Sequence, residues 1–414
     1  MDDQPVGRRV AYWRTRRRMS QQVFADRLGK SKSWVDKVER GVRRLDKFST
    51  IAEIAQVLQV DVTELMGRDQ PRRPEAPGVI GQSEVSEVRS SLERYDKITP
   101  FHGVDSSMMP LHELCKAVDH AWMTFQHANY TQLARSLPKL IRDAQSADCA
   151  GAQDAARSAA YLLAEVYQIA SSTLRKLGEH DLAWLAADRA TMVCQRAGDE
   201  LLTALAADQV AAALSALGRV RPALEISVSI AEQVAPRDDQ DATPQRLSVY
   251  GMVLLRGALA AARLGHSGTV RDLLSAAEEA AKKVGDENFY WTSFGPTNVA
   301  FYQVAAEVEL GEAARALRTH SGIDPDGYAG MLPERRASHL VEVARAYTQV
   351  GNLNRAGEAL VTASRLAPSE LRCRPDAQEL VVELMRRSGR PPAAGMLELV
   401  DQIGLSAATA APRA

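Results

Sequence analysis

Residues 20–41 read Ser-Gln-Gln-Val-Phe-Ala-Asp-Arg-Leu-Gly-Lys-Ser-Lys-Ser-Trp-Val-Asp-Lys-Val-Glu-Arg-Gly, and this stretch decides the fold of the amino-terminal part. Phe24 and Leu28 stand one helical turn apart, and Val35 and Val38 give a second segment its own inward stripe. Ala25 is small where two helices cross closely, and Gly29 can enter the left-handed region that a tight turn needs. Ser20 and Ser31 occupy N-cap positions, Gln21 opens the first segment, and Glu39-Arg40-Gly41 closes the second with glycine just past its end. Two short helices joined by a glycine turn are predicted.

The pattern extends both ways. Val6, Val10 and Trp13 predict a preceding helix; Leu45, Phe48, Ile51, Ile54, Ala55 and Leu58 predict a fourth, capped by Asp46; and Asp61-Val62-Thr63-Glu64 is a capping box for a short fifth. On these residues, 6–67, the chain resembles the helix-turn-helix domains of Cro/CI-type repressors, the XRE family. It departs at Lys30, where that family usually carries an apolar residue. The resemblance implies a double-stranded DNA operator as partner, with the second motif helix in the major groove. By position Lys32, Ser33, Trp34 and Lys37 would then meet base edges, while Gln21, Gln22, Ser31, Arg43 and Arg44 would hold phosphates. A helical hairpin that never touches DNA is the plainer alternative. One such domain covers a half-site, so a homodimer is expected.

Charge agrees with DNA. Residues 1–70 carry 15 Lys+Arg against 10 Asp+Glu, whereas the whole chain of 414 residues has 51 against 52. A basic head therefore precedes an acidic body, and basic residues gain affinity for phosphate by releasing counterions. Arg14, Arg16, Arg17 and Arg18 read either as DNA contacts or as a solvated helix face. Cys115, Cys149, Cys194 and Cys373 are widely spaced with no Cys-x-x-Cys pair, which suits free thiols in a reducing cytoplasm. No apolar leader or uninterrupted apolar span is present, so no membrane association is expected and the protein reads as cytoplasmic, at the nucleoid.

Residues 68–110 read as a linker. Three prolines and two glycines fall within 68–83, a short helical stretch runs near Val85–Tyr95, and Pro100, Gly103 and Pro110 break the chain again. Residues 111–405 are alanine-rich helices, and 406–414 read as a disordered tail. The body's breaks are periodic: Gly178, Gly218, Gly265, Gly311 and Gly351 each close one apolar helix and precede another, at separations of 40, 47, 46 and 40 residues. Tyr347, Ala356, Ala363 and Pro368 sit at tetratricopeptide (TPR) positions around Gly351. Gly178 with Ala183 and Ala190, and Gly218 with Ala223, repeat the theme, and Ala128-Asn129-Tyr130 with Ala134 reads as an earlier, degenerate unit. The expected fold is all-α: a five-helix head and a TPR-like solenoid with a concave groove, a generic α-solenoid being the alternative.

A basic head on such a body resembles the peptide-sensing RRNPP regulators and, more closely, actinobacterial XRE regulators with degenerate TPR bodies. Residues 29–35, 294–299, 366–370 and 374–375 carry that likeness. It implies that the body senses a small molecule or peptide; a TPR interaction scaffold is the alternative. No catalytic constellation, cofactor site or metal site is expected. Gly29-Lys30-Ser31 imitates the end of a P-loop, but Phe24 replaces its upstream glycine. His112, Cys115, His120 and His127 share one predicted helix, which reads as a metal site or as scattered polar residues. Residues 288–298 concentrate four aromatics beside Gly295-Pro296 and Asn298. They read either as packing or as a ligand mouth formed by Tyr290, Trp291 and Asn298, with Arg335, Arg336, His339 and Arg345 as positive partners.

Overall fold

The computed structural model describes residues 6–17, 19–42, 48–58, 60, 82–93, 109–150, 153–388 and 393–405. Among them every regular element is a helix. The chain divides into two compact units, Met1–Glu75 and Ala76–Ala414, described separately below.

The head contains α1 (Val6–Arg16), α2 (Gln21–Arg27), α3 (Lys32–Glu39) and α4 (Phe48–Leu58). Val10, Phe24, Ala25, Val35, Ile51, Ile54, Ala55 and Leu58 form its core, flanked by half-buried Val6, Trp13, Leu28 and Trp34. Both serines cap as expected: Ser20 Oγ accepts from Val23 N–H (3.2 Å) and Ser31 Oγ from Trp34 N–H (3.1 Å). Gly29, at φ +61°, ends α2 with paired bonds from its own N–H to Asp26 and from Lys30 N–H to Ala25. A contact that sequence reasoning overlooked is at Gly7. A Cβ there would lie 2.0 Å from the Val38 carbonyl oxygen, so α1 and α3 touch backbone to backbone. The fourth helix's cap at Asp46, its Leu45, and the fifth helix expected at 61–64 lie outside the described residues.

In the body, α5 (Gln82–Glu93) does not behave as linker. Its Val88 and Leu92, one turn apart, are buried in the main body core. Arg135 pairs with Glu84, and Gln145 donates to the Ser91 carbonyl, so the helix caps the open edge of the first repeat. The helical hairpins follow: α6 (Leu111–Gln126) with α7 (Tyr130–Ala150), α8 (Gln153–Lys176) with α9 (His180–Ala197), and α10 (Glu200–Ala216) with α11 (Val220–Val234). Then come α12 (Pro244–Arg263) with α13 (Ser267–Val284), and α14 (Pro296–Glu309) with α15 (Ala313–Ser321). After the short α16 (Pro325–Gly330), α17 (Pro333–Gln349) pairs with α18 (Leu353–Leu366). The short α19 (Pro368–Arg372) leads to α20 (Pro375–Ser388) and α21 (Met396–Gln402).

The repeat glycines explain the hairpins. Gly178, Gly218, Gly265, Gly311 and Gly351 all have φ between +76° and +80°, and each ends a helix with the same pair of reversed hydrogen bonds found at Gly29. Ala128 adopts this turn at φ +57° without a glycine, which makes the degenerate first unit a real hairpin at some conformational cost. Small residues then let the paired helices close: Ala183, Ala186 and Ala190 in α9 and Ala356 and Ala363 in α18 are essentially fully buried. Helices run from 9 to 24 residues in these hairpins, except for seven-residue α21, which accounts for repeats longer and less regular than a minimal TPR.

The first helices of successive hairpins (α8, α10, α12, α14, α17) pack side by side as an inner layer, and the array curls until its end meets its beginning. Helix α17 packs on α6, and the Gly178 turn lies against Pro375. The closure is held by buried charge. Lys176 Nζ lies 2.6 Å from Glu334 Oε1 and 2.7 Å from Glu370 Oε1, while Glu370 also accepts from Arg374 and from the Tyr130 hydroxyl.

Candidate DNA-reading helix and ligand cavity

On α3, Lys32, Ser33 and Lys37 are exposed on one side, whereas Val35 and Val38 point into the core. Trp34, expected at a base edge, is half-buried against the head's core, where an indole on an otherwise small helix gains more by packing. Ser31 spends its hydroxyl on the cap. Gln21 Nε2 donates to Glu39 Oε2 (2.8 Å) and Gln22 Nε2 to Asp26 Oδ1 (2.8 Å), so both glutamines expected on phosphates are engaged within the head. Arg43 and Arg44 lie outside the described residues.

The arginine run divides by chemistry. Arg14 grips Glu39 in a two-pronged pair (2.6 and 3.1 Å) and donates to the Met19 carbonyl, tying α1 to α3. Arg17 Nε donates to the Leu58 carbonyl (3.0 Å), and Arg16 stacks over Tyr12 and Trp13. Arg14 and Arg17 are therefore braces of the head's fold. Arg18 is not among the described residues.

The inner layer of the body lines a half-open cavity of about 380 Å³. Arg175 and Lys176 come from α8, Arg256 and Arg263 from α12, Asn298, Phe301 and Tyr302 from α14, Arg335, His339 and Arg345 from α17, and Arg374 from the link to α20. Carboxylates partner most of these cations. Arg256 forks onto Asp208 (3.1 and 3.0 Å), and Arg263 and Arg345 share Glu309. Arg374 takes Glu370 and Asp376, and Arg335 has Glu334 at 3.4 Å. Burial works against ionisation of Glu334, yet the Lys176 ammonium and Arg335 guanidinium hold its carboxyl below the usual range.

Arg175 differs. No carboxylate stands within ion-pair distance of it among the described residues, and its Nε is buried without a hydrogen-bond acceptor. Burial, then the like charge of Arg256, lowers its guanidinium to about 10. Asn298 is fully buried, and its Oδ1 also lacks a partner. His339 stacks on Phe301 (4.0 Å between centroids) and shares a 2.9 Å contact with His320; burial, then the His320 charge, drops it to about 3.

Of the seven residues expected around a ligand, Asn298, Arg335, His339 and Arg345 line this cavity. Tyr290, Trp291 and Arg336 do not. Tyr290, Trp291 and Ser293 all adopt positive φ (51°, 60° and 51°), a costly run of left-handed residues held in place by Asn288 and Gln126. Gln126 and Asn288 exchange two 3.1 Å bonds, Gln126 also donates to the Trp291 carbonyl, and Asn288 Oδ1 accepts from Ser293 N–H. Trp291 stacks on Trp122 of α6, and Tyr290 reaches Asp199, so these aromatics fasten the loop to earlier hairpins. Phe294 fills the space above Gly251, where a Cβ would lie 1.9 Å from its ring. Arg336 lies over the Tyr328 ring. Beside the loop, burial raises Glu165 to about 7 despite indole donors from Trp122 and Trp291.

Sequence reasoning missed Arg175, Lys176, Arg256, Arg263 and Arg374. One signal was present: Arg175, Lys176 and Arg263 stand two or three residues before a repeat glycine, the same place in two of the repeats. His112 and Cys115 are exposed beside the local carboxylates Glu113 and Asp119, and His127 bonds the Met123 carbonyl. No group of three His, Cys, Asp or Glu fit for a metal occurs among the described residues. None of their helices is long and apolar enough to cross a membrane.

Comparison with known proteins gives the class of the head. Residues 5–66 match the family model of the helix-turn-helix domain, so the amino-terminal part is a helix-turn-helix domain and a DNA-binding module. No curated protein matches the chain. Among solved structures, PlcR of Bacillus thuringiensis, in complex with the peptide PapR7 and DNA, is similar at 12% identity and a TM-score of 0.28, over 67% of this chain and 95% of that one. ComR from S. thermophilus, in complex with DNA and its signalling peptide ComS, is similar at 12% identity and a TM-score of 0.20, over 87% of this chain and 99% of that one. Neither likeness is close enough to carry the fold or the function of this chain.

Proposed function

We propose that the chain is a Cro/CI-type transcription regulator. It reads a double-stranded operator as a homodimer and is tuned by a small molecule or peptide held in the cavity of its helical body. The observation that carries the DNA half is the exposed side of α3, where Lys32, Ser33 and Lys37 project from a helix that Ser31 caps and the Arg14–Glu39 pair braces. Lysine ammoniums there can donate to guanine O6 or N7, and the serine hydroxyl suits several base edges. The sensing half rests on a half-open space at the low end of ligand-pocket volumes, roughly 300–1,000 Å³, walled in part by polar groups that the fold leaves unpaired. A ligand shifts DNA binding only if it prefers one arrangement of the body over another. The test is fluorescence anisotropy with the full chain on a selected operator and on random duplex. Lys32→Ala and Lys37→Ala should each cost about 1–3 kcal/mol on the operator and far less on random DNA. Equal losses on both would reduce these lysines to backbone contacts and overturn the assignment of α3 as the reading helix.

A further inference from the structure

We infer that the body's cavity is a site for a phosphate-bearing small molecule, with Arg175, Arg256 and Arg335 as its anion-binding wall and Asn298 as a second anchor. The inference rests on the sensing half of the proposed function and names its ligand class. Seven cations line the cavity (Arg175, Lys176, Arg256, Arg263, Arg335, Arg345, Arg374) against three carboxylates (Glu334, Glu342, Asp376). The other carboxylates that pair with them, Asp208, Glu309 and Glu370, are not part of that lining.

The charge of Arg256 acts on both Arg175 and Arg335, and Tyr302 lies near all three. Gathering like charges in a buried wall is unfavourable unless an anion completes it. Arg256 is satisfied by Asp208, whereas Arg175 makes no ion pair with a described carboxylate and feels Glu334 only at longer range, and Arg335 has Glu334 and the Thr292 carbonyl, each at 3.4 Å. Guanidinium forks match phosphate oxygens in pairs, and several of them offer more N–H donors than a two-oxygen carboxylate can accept. A phosphate monoester presents three free oxygens and close to two charges.

Asn298 Oδ1, buried and unpartnered, can accept from an N–H or O–H on the organic part of the ligand. The stacked Phe301–His339 pair and Leu259 supply its apolar wall. An extended peptide fits this space poorly, because buried ion pairs from Lys176 of the second hairpin cross to α17 and α19 beside it.

The experiment uses the full chain, with inorganic phosphate, ribose 5-phosphate and acetate as probes against chloride at one ionic strength, read by thermal shift and calorimetry. Arg175→Gln removes the unpaired cation without orphaning a carboxylate, so the ligand-free melting point should hold or rise. Lys282→Gln, an exposed cation on α13, is the control. Ribose 5-phosphate should bind more tightly than phosphate, and acetate should not bind. Arg175→Gln should weaken both phosphates at least about tenfold, and Lys282→Gln should weaken neither. Equal binding of acetate, equal binding to Arg175→Gln, or no phosphate effect beyond chloride would each overturn the inference. Adding ribose 5-phosphate to an operator titration separates the two claims. Binding to the body without a change in operator affinity sinks the sensing half while the site stands. A peptide that alters operator affinity in a chain indifferent to phosphate does the reverse.

Discussion

The closure of the body is open to a direct perturbation at Lys176. This lysine reaches from α8 to α17 and α19, contacts 158 and 194 residues away in sequence, and its two carboxylate partners are almost wholly buried. Lys176→Met keeps the length and apolar stem of the side chain but removes the charge. Glu370 then retains Arg374 and Tyr130, whereas Glu334 is left with Arg335 at 3.4 Å. Removing one partner of a buried pair typically costs about 3–5 kcal/mol, and the residual partners place this site near the lower figure. At roughly 2 °C per kcal/mol for a unit of this size, the melting temperature should drop by about 6 °C. Calorimetry of the full chain reads the effect on the body's transition. Adding Glu334→Gln to Lys176→Met should recover part of the loss, because the orphaned charge disappears. A melting point unchanged by Lys176→Met would refute the claim that these ion pairs hold α17 and α19 against the second hairpin.

Further outcomes follow from the same contacts. Gly7→Ala forces a Cβ onto the Val38 carbonyl, so operator binding should fall steeply while the body's melting transition stays put; normal binding would deny the close α1–α3 crossing. Two buried groups give opposite pH slopes, read from denaturant midpoints between pH 4 and 8. Glu165 is raised from 4.5 to about 7, so its contribution is whole below 4.5 and is lost as pH rises through 7; Glu165→Gln should flatten that alkaline-side decline and be the more stable form above pH 7. His339 is lowered from 6.5 to about 3, so its contribution is whole above 6.5 and is lost as pH falls toward 3; His339→Gln should flatten that acid-side decline. A change from the wild-type slope that has the same sign in both variants would contradict these assignments. Light scattering on the full chain should give twice the mass of 45.1 kDa, and a monomer at micromolar concentration would defeat the homodimer.

The head was legible because its signals are local. Caps at Ser20 and Ser31, the turn at Gly29 and the stripe of Phe24, Val35 and Val38 each act within a few residues, and the structure places them as read. The repeat glycines were legible for the same reason. What the sequence hid is long-range. Val88 and Leu92 look like a fragment of linker until the first hairpin offers an edge to cover. Arg14 and Arg17 look like solvated or DNA-binding charges until Glu39 and the Leu58 carbonyl come within reach. The aromatic run at 289–294 announced something unusual, but its left-handed backbone turns Trp291 toward Trp122 rather than toward the cavity. The cavity's arginines meet only because the inner layer curls back on itself, and no local pattern encodes that curvature.

The central claim is that α3 reads DNA sequence from two heads at once. Selection of sites from randomised duplex DNA by the full chain, at stated salt, tests both parts together. An inverted repeat whose half-sites lie about one helical turn, roughly 34–36 Å, apart should be enriched, with positions that change preference under Lys37→Ala. A pool that stays random, or a preferred site indifferent to Lys32→Ala and Lys37→Ala alike, would contradict it.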